Sequence, residues 1–257
     1  MEFPLLKIAI CVATPWEFNA VGKALPSGKK HGVKGYRCLT RQTDNLTVFV
    51  LQTGMGHEKV SAACEALLND QNWDLIVSSG FAGALVPTTV GTLVVSSRVI
   101  VLDQDEVLES SIQGEGSGSF FYGLVRDVVE QMEKSPLLGS VVMVQRIVWQ
   151  ADHKALIAGR THGLALDMES GTIGRLAVSR GIPFLVVRTI SDLLEESLPL
   201  DLNVFCQKST WRQGFLGLIL HPRQLWQLNR LRKQMVLASD QLTRFFQVFC
   251  VQLERYA

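Results

Sequence analysis

Residues 166–192 read LDMESGTIGRLAVSRGIPFLVVRTISD and predict a helix followed by a strand. The helix, over residues 168–179, contains the small residues Gly171, Gly174 and Ala177, which suit close packing. The run PFLVVRT at 183–189 is continuous and apolar, as is typical of a strand that is buried on both faces. A helix leading into such a strand indicates an α/β fold.

Further strands and helices alternate along the chain in the same way. The predicted strands are residues 7–13 (KIAICVA), 46–53 (LTVFVLQT), 75–79 (LIVSS), 92–101 and 140–148, and the predicted helices are 57–68 and 124–132. Residues 109–119 (ESSIQGEGSGS) are dense in Gly and Ser and indicate a loop. We therefore predict a three-layer αβα domain over residues 1–205, with a central mixed, mostly parallel sheet. Residues 206–257 are predicted to be a helical extension, packed on that domain or continuing it.

Composition excludes several classes of protein. With 47% hydrophobic and 19% charged residues, the 257-residue chain is not disordered. Its net charge of +1 gives no case for a nucleic-acid binder. The five cysteines are widely spaced without a CxxC pair, and the histidines show no HExxH spacing, so we expect free thiols and no metal. The start of the chain resembles neither a signal peptide nor a membrane span, so we expect a cytoplasmic location.

Candidate site residues follow the ends of the predicted strands, where ligands of such sheets bind. Five segments fit this rule: residues 13–17 (ATPWE), 53–56 (TGMG), 80–83 (GFAG), 167–170 (DMES) and 189–192 (TISD). Their acidic members are Glu17, Asp167, Glu169 and Asp192. Each could instead be a helix cap or a solvated carboxylate. Spacing alone does not name a reaction.

The motifs SSGFAGAL (78–85) and LDMESGTIGRLAVSRGIPFLVVRTISD (166–192) resemble the nucleoside phosphorylase/nucleosidase superfamily, especially its methylthioadenosine/adenosylhomocysteine nucleosidase branch. KIAICVATPWEFNAV (7–21) is similar to the first strand and acidic turn of that family, and TGMG to its second glycine turn. The resemblance covers most of residues 7–192. The tail, residues 221–246, resembles the hopanoid-associated nucleoside phosphorylases, a subgroup implied to act on adenosylhopane.

The resemblance implies cleavage of the N-glycosidic bond of an adenine nucleoside, without a metal or an organic cofactor. Asp192 corresponds to the acid that protonates the purine, Glu169 to the carboxylate that holds the ribose hydroxyls, and Glu17 to the carboxylate that activates water. The implied substrate contacts are Met168, Asp167, Ser191, Phe81, Ala82, Gly83, Gly54, Gly56 and Trp149. Trp149 would stack on adenine, with a core aromatic as the alternative. The resemblance also implies a homo-oligomer, either a dimer or a trimer.

Three positions depart from the family pattern. Ser78 stands where phosphorylases often have Arg, Phe81 where they have a phosphate-binding Ser, and Asp167 where nucleosidases usually have Glu. Since an anion needs charged donors or a helix N-terminus, hydrolysis is favoured over phosphorolysis to ribose 1-phosphate. Hydrolysis of methylthioadenosine or adenosylhomocysteine and a non-catalytic nucleoside-binding role remain alternatives. A dinucleotide site is excluded because no GxGxxG follows a strand.

The near-neutral total charge hides two unlike parts. Residues 206–257 contain eight basic and two acidic residues, a net +6, whereas residues 1–205 carry −5. Apolar residues recur in the tail at steps of three and four and predict one long amphipathic helix: Leu228, Leu231, Met235, Ala238, Leu242, Phe245, Phe249 and Leu253. Such a stripe usually packs on the body of a protein. The alternative is a peripheral contact with the inner surface of the membrane.

Overall fold

A computed structural model describes residues 5–68, 72–113, 117–198 and 222–256. Within them lie six helices: α1 (Pro15–Lys23), α2 (His57–Leu68), α3 (Ser117–Gln131), α4 (Ala151–Thr161), α5 (Ser170–Val178) and α6 (Pro222–Tyr256). The strands are β1 (Leu6–Val12), β2 (Lys29–Val33), β3 (Tyr36–Gln42), β4 (Leu46–Gln52), β5 (Leu75–Ala84), β6 (Leu93–Ser96), β7 (Arg98–Val101), β8 (Glu106–Glu109), β9 (Leu137–Leu138), β10 (Val141–Met143), β11 (Ala165–Asp167) and β12 (Phe184–Asp192).

The strands form one mixed sheet that divides at β5. β1 pairs in parallel with β4 and β5, and β12 pairs in parallel with the same β5 along most of its length. Near its C-terminal end β5 also pairs antiparallel with β11, through Gly83 and Ala84. Six of the eleven pairings in the described chain are parallel. The ends of β1, β11 and β12 are thereby brought together around β5.

Helices cover both faces of this sheet, which confirms the predicted αβα architecture. Alternate residues of β1 point to opposite sides, as a two-residue period requires. Ile8, Ile10 and Val12 belong to the core that contains residues of α1, α3 and α6. Ala9 and Cys11 belong to the core that contains residues of α2 and α5. Burial on both faces explains why β1 is a continuous apolar run in the sequence.

α1 begins with a capping box that also fixes a candidate site residue. The Thr14 hydroxyl accepts a hydrogen bond from Glu17 N, and the Glu17 carboxylate accepts one from Thr14 N. Pro15 occupies the first turn, where its missing N–H has no cost. The sequence TPWE therefore explains both where the helix starts and why Glu17 turns back toward the end of β1.

The structure corrects two predicted strand boundaries. Residues 80–83, expected to follow the end of a strand, lie inside β5, because pairing with β12 and β11 continues along them. The single strand predicted at 92–101 is two strands, β6 and β7. The Ser96 hydroxyl bonds both the N–H and the carbonyl of Arg98, and this turn sends the two strands to different partners.

Two other boundaries also differ. α3 starts at Ser117, seven residues before the predicted helix, and residues 111–113 form a 3-10 turn. Part of the predicted loop, residues 114–116, lies outside the described chain. The strand predicted over 140–148 is only Val141–Met143, because pairing with β7 and β11 ends there. Ile147 and Val148, which follow this strand, line a pocket.

α6 packs on the body through the apolar stripe predicted for the tail. Ala238, Leu242, Phe245, Phe249 and Leu253 are fully buried, and contacts of α6 extend to α1, α3 and β12. Residues 206–221 and the side chain of Leu228 lie outside the described chain. In the described residues no helix has the length and apolarity that a membrane crossing needs. The five buried side chains hold the helix on the domain and are therefore not free to enter a lipid surface.

Candidate active site

One pocket collects most of the predicted site residues at the C-terminal ends of β1, β11 and β12. Nine of the twelve line it: Glu17, Phe81, Ala82, Gly83, Asp167, Met168, Glu169, Ser191 and Asp192. They come from four separate segments of the chain, one of them part of β5 and the other three next to it. The convergence expected from strand order is therefore present in the fold.

Glu17 is more than a helix cap. It is 5% exposed, and its Oε2 atom accepts hydrogen bonds from Ala13 N (3.0 Å) and Thr14 N (2.7 Å). Its Oε1 atom accepts a third from Phe81 N of β5, at 2.9 Å. A carboxylate has about four acceptor positions, so one position on Oε1 remains for a ligand. Capping accounts for Oε2, whereas the bond to Phe81 ties Glu17 to the pocket.

Arg188, a residue of β12, lies buried beneath the pocket and was not predicted as a site residue. Its Nε donates to Asp167 Oδ2 at 2.5 Å, and its Nη2 donates to Ser78 Oγ at 2.8 Å. Asp167 uses its other oxygen to accept hydrogen bonds from the amide and the hydroxyl of Ser170, the first residue of α5. Burial acts to lower the pKa of Arg188, but the carboxylates of Asp167, Glu169 and Glu17 together raise it above its ordinary value.

The surroundings of Glu169 favour its neutral form, whereas those of Arg188 favour its charged form. Burial raises its pKa to about 8, the Asp167 and Glu17 carboxylates add to that rise, and Arg188 opposes it only in part. Although Glu169 is the N-cap residue of α5, its side chain makes no capping hydrogen bond. A raised pKa favours the neutral form of Glu169, which can donate a hydrogen bond as well as accept one.

Asp192 is the last residue of β12 and is 7% exposed. Its Oδ1 accepts a hydrogen bond from Ser191 Oγ at 2.9 Å, and its Oδ2 accepts one from Lys154 Nζ of α4. A Cβ atom on Gly83 would lie only 3.0 Å from Asp192 Oδ2, so the carboxyl packs directly against the backbone of β5. Asp192 is thus held from three sides, with its fourth side toward the pocket.

Glycine is required at one further position under the pocket. A Cβ atom on Gly80 would overlap Glu17 Oε1 and lie 3.0 Å from a guanidinium nitrogen of Arg188. Because Gly80 has no side chain, Glu17 and Arg188 can both lie against its backbone. The glycines of GFAG make room for side chains, although the sequence suggested that they form a turn.

Three predicted contacts do not line the pocket: Gly54, Gly56 and Trp149. Gly54 and Gly56 have φ angles of +86° and +95°, so both are explained by the turn between β4 and α2, which brings Met55 to the pocket. Trp149 is half-buried beside the pocket, and its carbonyl accepts a hydrogen bond from Leu198 N.

The remaining wall of the pocket is apolar. Ile147 and Val148, from the segment after β10, face Leu198, which follows β12, and Leu231 and Met235 of α6. None of these was predicted to line a site, since their position depends on how α6 docks. No Lys, Arg or His appears among the described lining residues, whereas four carboxylates do.

A larger cavity, of about 370 Å³, lies elsewhere, between α2 and the sheet edge that contains β3 and β4. Its described lining includes Lys7, His31, Tyr36 and Cys38 but no Asp or Glu. The pocket at the strand ends is smaller, yet four carboxylates line it, and two of them are paired with cations buried behind it. We therefore assign the chemistry to the smaller pocket.

Comparisons with known proteins agree with this geometry. Residues 7–209 match the model of the phosphorylase superfamily. A 5′-methylthioadenosine/S-adenosylhomocysteine nucleosidase of Shewanella sp. (strain W3-18-1) is 23% identical over 228 residues, covering 84% of this chain and 98% of the relative. The crystal structure of such a nucleosidase from Helicobacter pylori has a TM-score of 0.72 at 14% identity, covering 96% of this chain and 99% of the other. Futalosine hydrolase of Helicobacter pylori has a TM-score of 0.70 at 15% identity, covering 96% and 98%. The family match spans well over half of the sequence, and the chain belongs to the phosphorylase superfamily.

Proposed function

We propose that the protein hydrolyses the N-glycosidic bond of an adenine nucleoside. The observation that carries the proposal is a single pocket where an acid held by buried partners, Asp192, faces a second group of carboxylates around Arg188. Cleaving this bond needs a proton for the departing base and negative charge beside a developing sugar cation. Relatives named as methylthioadenosine and adenosylhomocysteine nucleosidases support adenine as the base.

Asp192 is proposed to serve the base. An adenine anion leaves poorly, so a proton delivered to N7 lowers the barrier, typically by a factor of about 10²–10⁴. The carboxyl is fixed by Ser191, Gly83 and Lys154, which restricts its rotation. A fixed acid at the end of β12 is suited to protonating one edge of a bound purine.

Glu169 and Met168 are proposed to serve the sugar. Because its pKa is raised to about 8, the neutral form of Glu169 is favoured, and that form can exchange hydrogen bonds with ribose hydroxyls in either direction. As positive charge develops on the ribose, the electron-rich oxygens of the Glu169 side chain stabilise it. Met168 supplies apolar contact at the same wall.

Glu17 is proposed to hold the attacking water. Its one unused acceptor position is on Oε1, the oxygen that lies next to Gly80 and Arg188. A water bonded there would be polarised by the carboxylate and oriented by the guanidinium beneath it. The three backbone donors keep that oxygen from rotating away.

Water is a better co-substrate than phosphate for this pocket. An inorganic phosphate would meet four carboxylates and no basic side chain among the described lining residues. The Ser78 hydroxyl is already bonded to Arg188, and Arg188 is paired with Asp167 below the surface. Charge-assisted donors for an anion are therefore missing from the described lining of the pocket.

The rate of adenine release is accordingly expected to be the same with and without phosphate, and the sugar product should carry a free anomeric hydroxyl. Both quantities follow from incubating a purine nucleoside with the enzyme in phosphate-free buffer and in buffered phosphate, with chromatography of the products. A parallel reaction with sulfate at equal ionic strength is the control for inhibition by added salt. Ribose 1-phosphate as a product would overturn the hydrolytic assignment.

The apolar wall favours a nucleoside with an apolar 5′ substituent. Leu198, Leu231 and Met235 offer it contact but no hydrogen bonds from their side chains. We expect methylthioadenosine to be cleaved with a higher kcat/KM than adenosine, measured by adenine release. A lipid-linked adenosine such as adenosylhopane is the second candidate, and futalosine belongs in the same assay because a futalosine hydrolase shares the fold. Faster cleavage of adenosine than of every 5′-apolar nucleoside would contradict this preference.

A further inference from the structure

The helix α4 reverses the usual distribution of polar and apolar residues. Lys154 is 0% exposed and is the one buried residue of Ala151–Thr161, whereas Leu156 on the same helix is 71% exposed. Lysine is rarely buried unless its charge is paired, because removing an ammonium from water is costly. An apolar residue would fill this position at lower cost, so packing alone does not explain a lysine here.

All three N–H bonds of the Lys154 ammonium are used. Nζ donates to Leu193 O at 2.8 Å, to Glu196 O at 3.0 Å and to Asp192 Oδ2, with which it forms an ion pair. An ammonium has three donors and no acceptor, so the site is fully satisfied. Two of the bonds fix the backbone that follows β12, and the third fixes the carboxyl of the proposed acid.

We propose that Lys154 is a positioning residue for base release, acting through Asp192. It lies behind the carboxyl and does not line the pocket, so it does not touch the nucleoside. Its ammonium holds Oδ2 while Ser191 holds Oδ1, which sets the plane of the carboxyl that faces the base.

The same ammonium shapes the apolar wall. The segment it holds continues to Leu198, which lines the pocket, and the Glu196 side chain accepts a hydrogen bond from Gln234 Nε2 of α6 at 2.8 Å. Arg230 lies 3.5 Å from the other oxygen of Glu196. Lys154 is therefore the point at which α4, the end of β12 and, through Glu196, α6 are joined.

Other charged groups near Asp192 are accounted for. Glu196 turns its carboxylate toward α6, where Gln234 and Arg230 contact it. Glu17, Asp167 and Glu169 line the pocket with Asp192, and Arg188 beneath them is paired with Asp167. Lys154 is the cation bonded to Asp192 in the described chain, so its removal changes the charge next to the acid directly.

The test compares Lys154→Met, Lys154→Gln and Lys154→Arg with the matched control His153→Met, which changes an exposed neighbour on α4. It rests on the proposed function and measures kcat and KM for adenine release. With the charge lost, kcat should fall by about 10- to 100-fold while KM changes little, because the carboxyl loses its fixed position but the nucleoside keeps its contacts. Lys154→Gln replaces the Met variant if the latter does not fold.

Lys154→Arg keeps the charge and the donors, so it should recover part of the kcat that the neutral variants lose. A kcat for Lys154→Arg as low as that of the neutral variants, or a rise of KM as large as the fall of kcat, would overturn the proposal and leave a structural role only. Absence of adenine release by the wild-type enzyme would refute the proposed function instead.

Discussion

Replacing Asp192 by Asn is expected to reduce adenine release by about 10²- to 10⁴-fold, the range that a general acid contributes. The amide has nearly the same shape and can accept a hydrogen bond from Lys154 Nζ, but it has no acidic proton for the base. Binding does not need that proton, so the Kd of the nucleoside should remain close to the wild-type value. A discontinuous assay of adenine release measures the rate, and isothermal titration calorimetry with a 5′-apolar nucleoside measures the Kd.

The matched control for this substitution is Asp152→Asn, the same chemical change at an exposed acid on α4. It should leave both release and binding unaltered. Thermal unfolding of the two variants shows whether Asp192→Asn has disturbed the fold by leaving Lys154 without a charged partner. A folded Asp192→Asn protein with wild-type turnover would remove Asp192 from the mechanism.

The sequence predicted the main elements of the sheet because buried strands and amphipathic helices have strong local patterns. The helix at residues 57–68 has the predicted bounds, and the strand predicted at 7–13 is shifted by one residue. The strand predicted at 75–79 is five residues too short, since Gly80 and Gly83 suggested a turn. Their lack of a side chain instead makes room for Glu17 and Asp192, and this reason depends on tertiary contacts.

The two cations behind the pocket escaped prediction for a related reason. Lys154 is paired with a residue 38 positions away, inside a helix whose sequence, ADHKALIAGRT, is typical of an exposed surface. Arg188 is paired with Asp167, 21 positions away, and it did leave a signal. A single charge inside the apolar run FLVVRTI must find a buried partner, and the acidic residues nearby were the candidates. The docking of α6, which adds Leu231 and Met235 to the wall, left no local signal.

Arg188→Met is expected to produce the largest loss of stability among single changes at the site. Arg188 and Asp167 have side chains that are 2% and 1% exposed, so removing the guanidinium leaves a buried carboxylate without its partner. Breaking a buried pair in this way costs about 3–5 kcal/mol in the free energy of unfolding. Adenine release should also collapse, because Glu17 and Glu169 lose the positive charge that lies beneath them. Urea denaturation at neutral pH measures the stability, and the adenine assay measures the activity.

The double variant Arg188→Met/Asp167→Asn separates the two effects. Removing both charges removes the uncompensated carboxylate, so a large part of the lost stability should return while activity stays low. Arg98→Met is the matched control, since Arg98 forms its ion pair with Glu109 at the surface and its side chain is 46% exposed. That control should cost less than about 1 kcal/mol. Equal losses for Arg188→Met and Arg98→Met would contradict the buried pair, and recovery of activity in the double variant would show that Arg188 holds Asp167 without acting on the reaction.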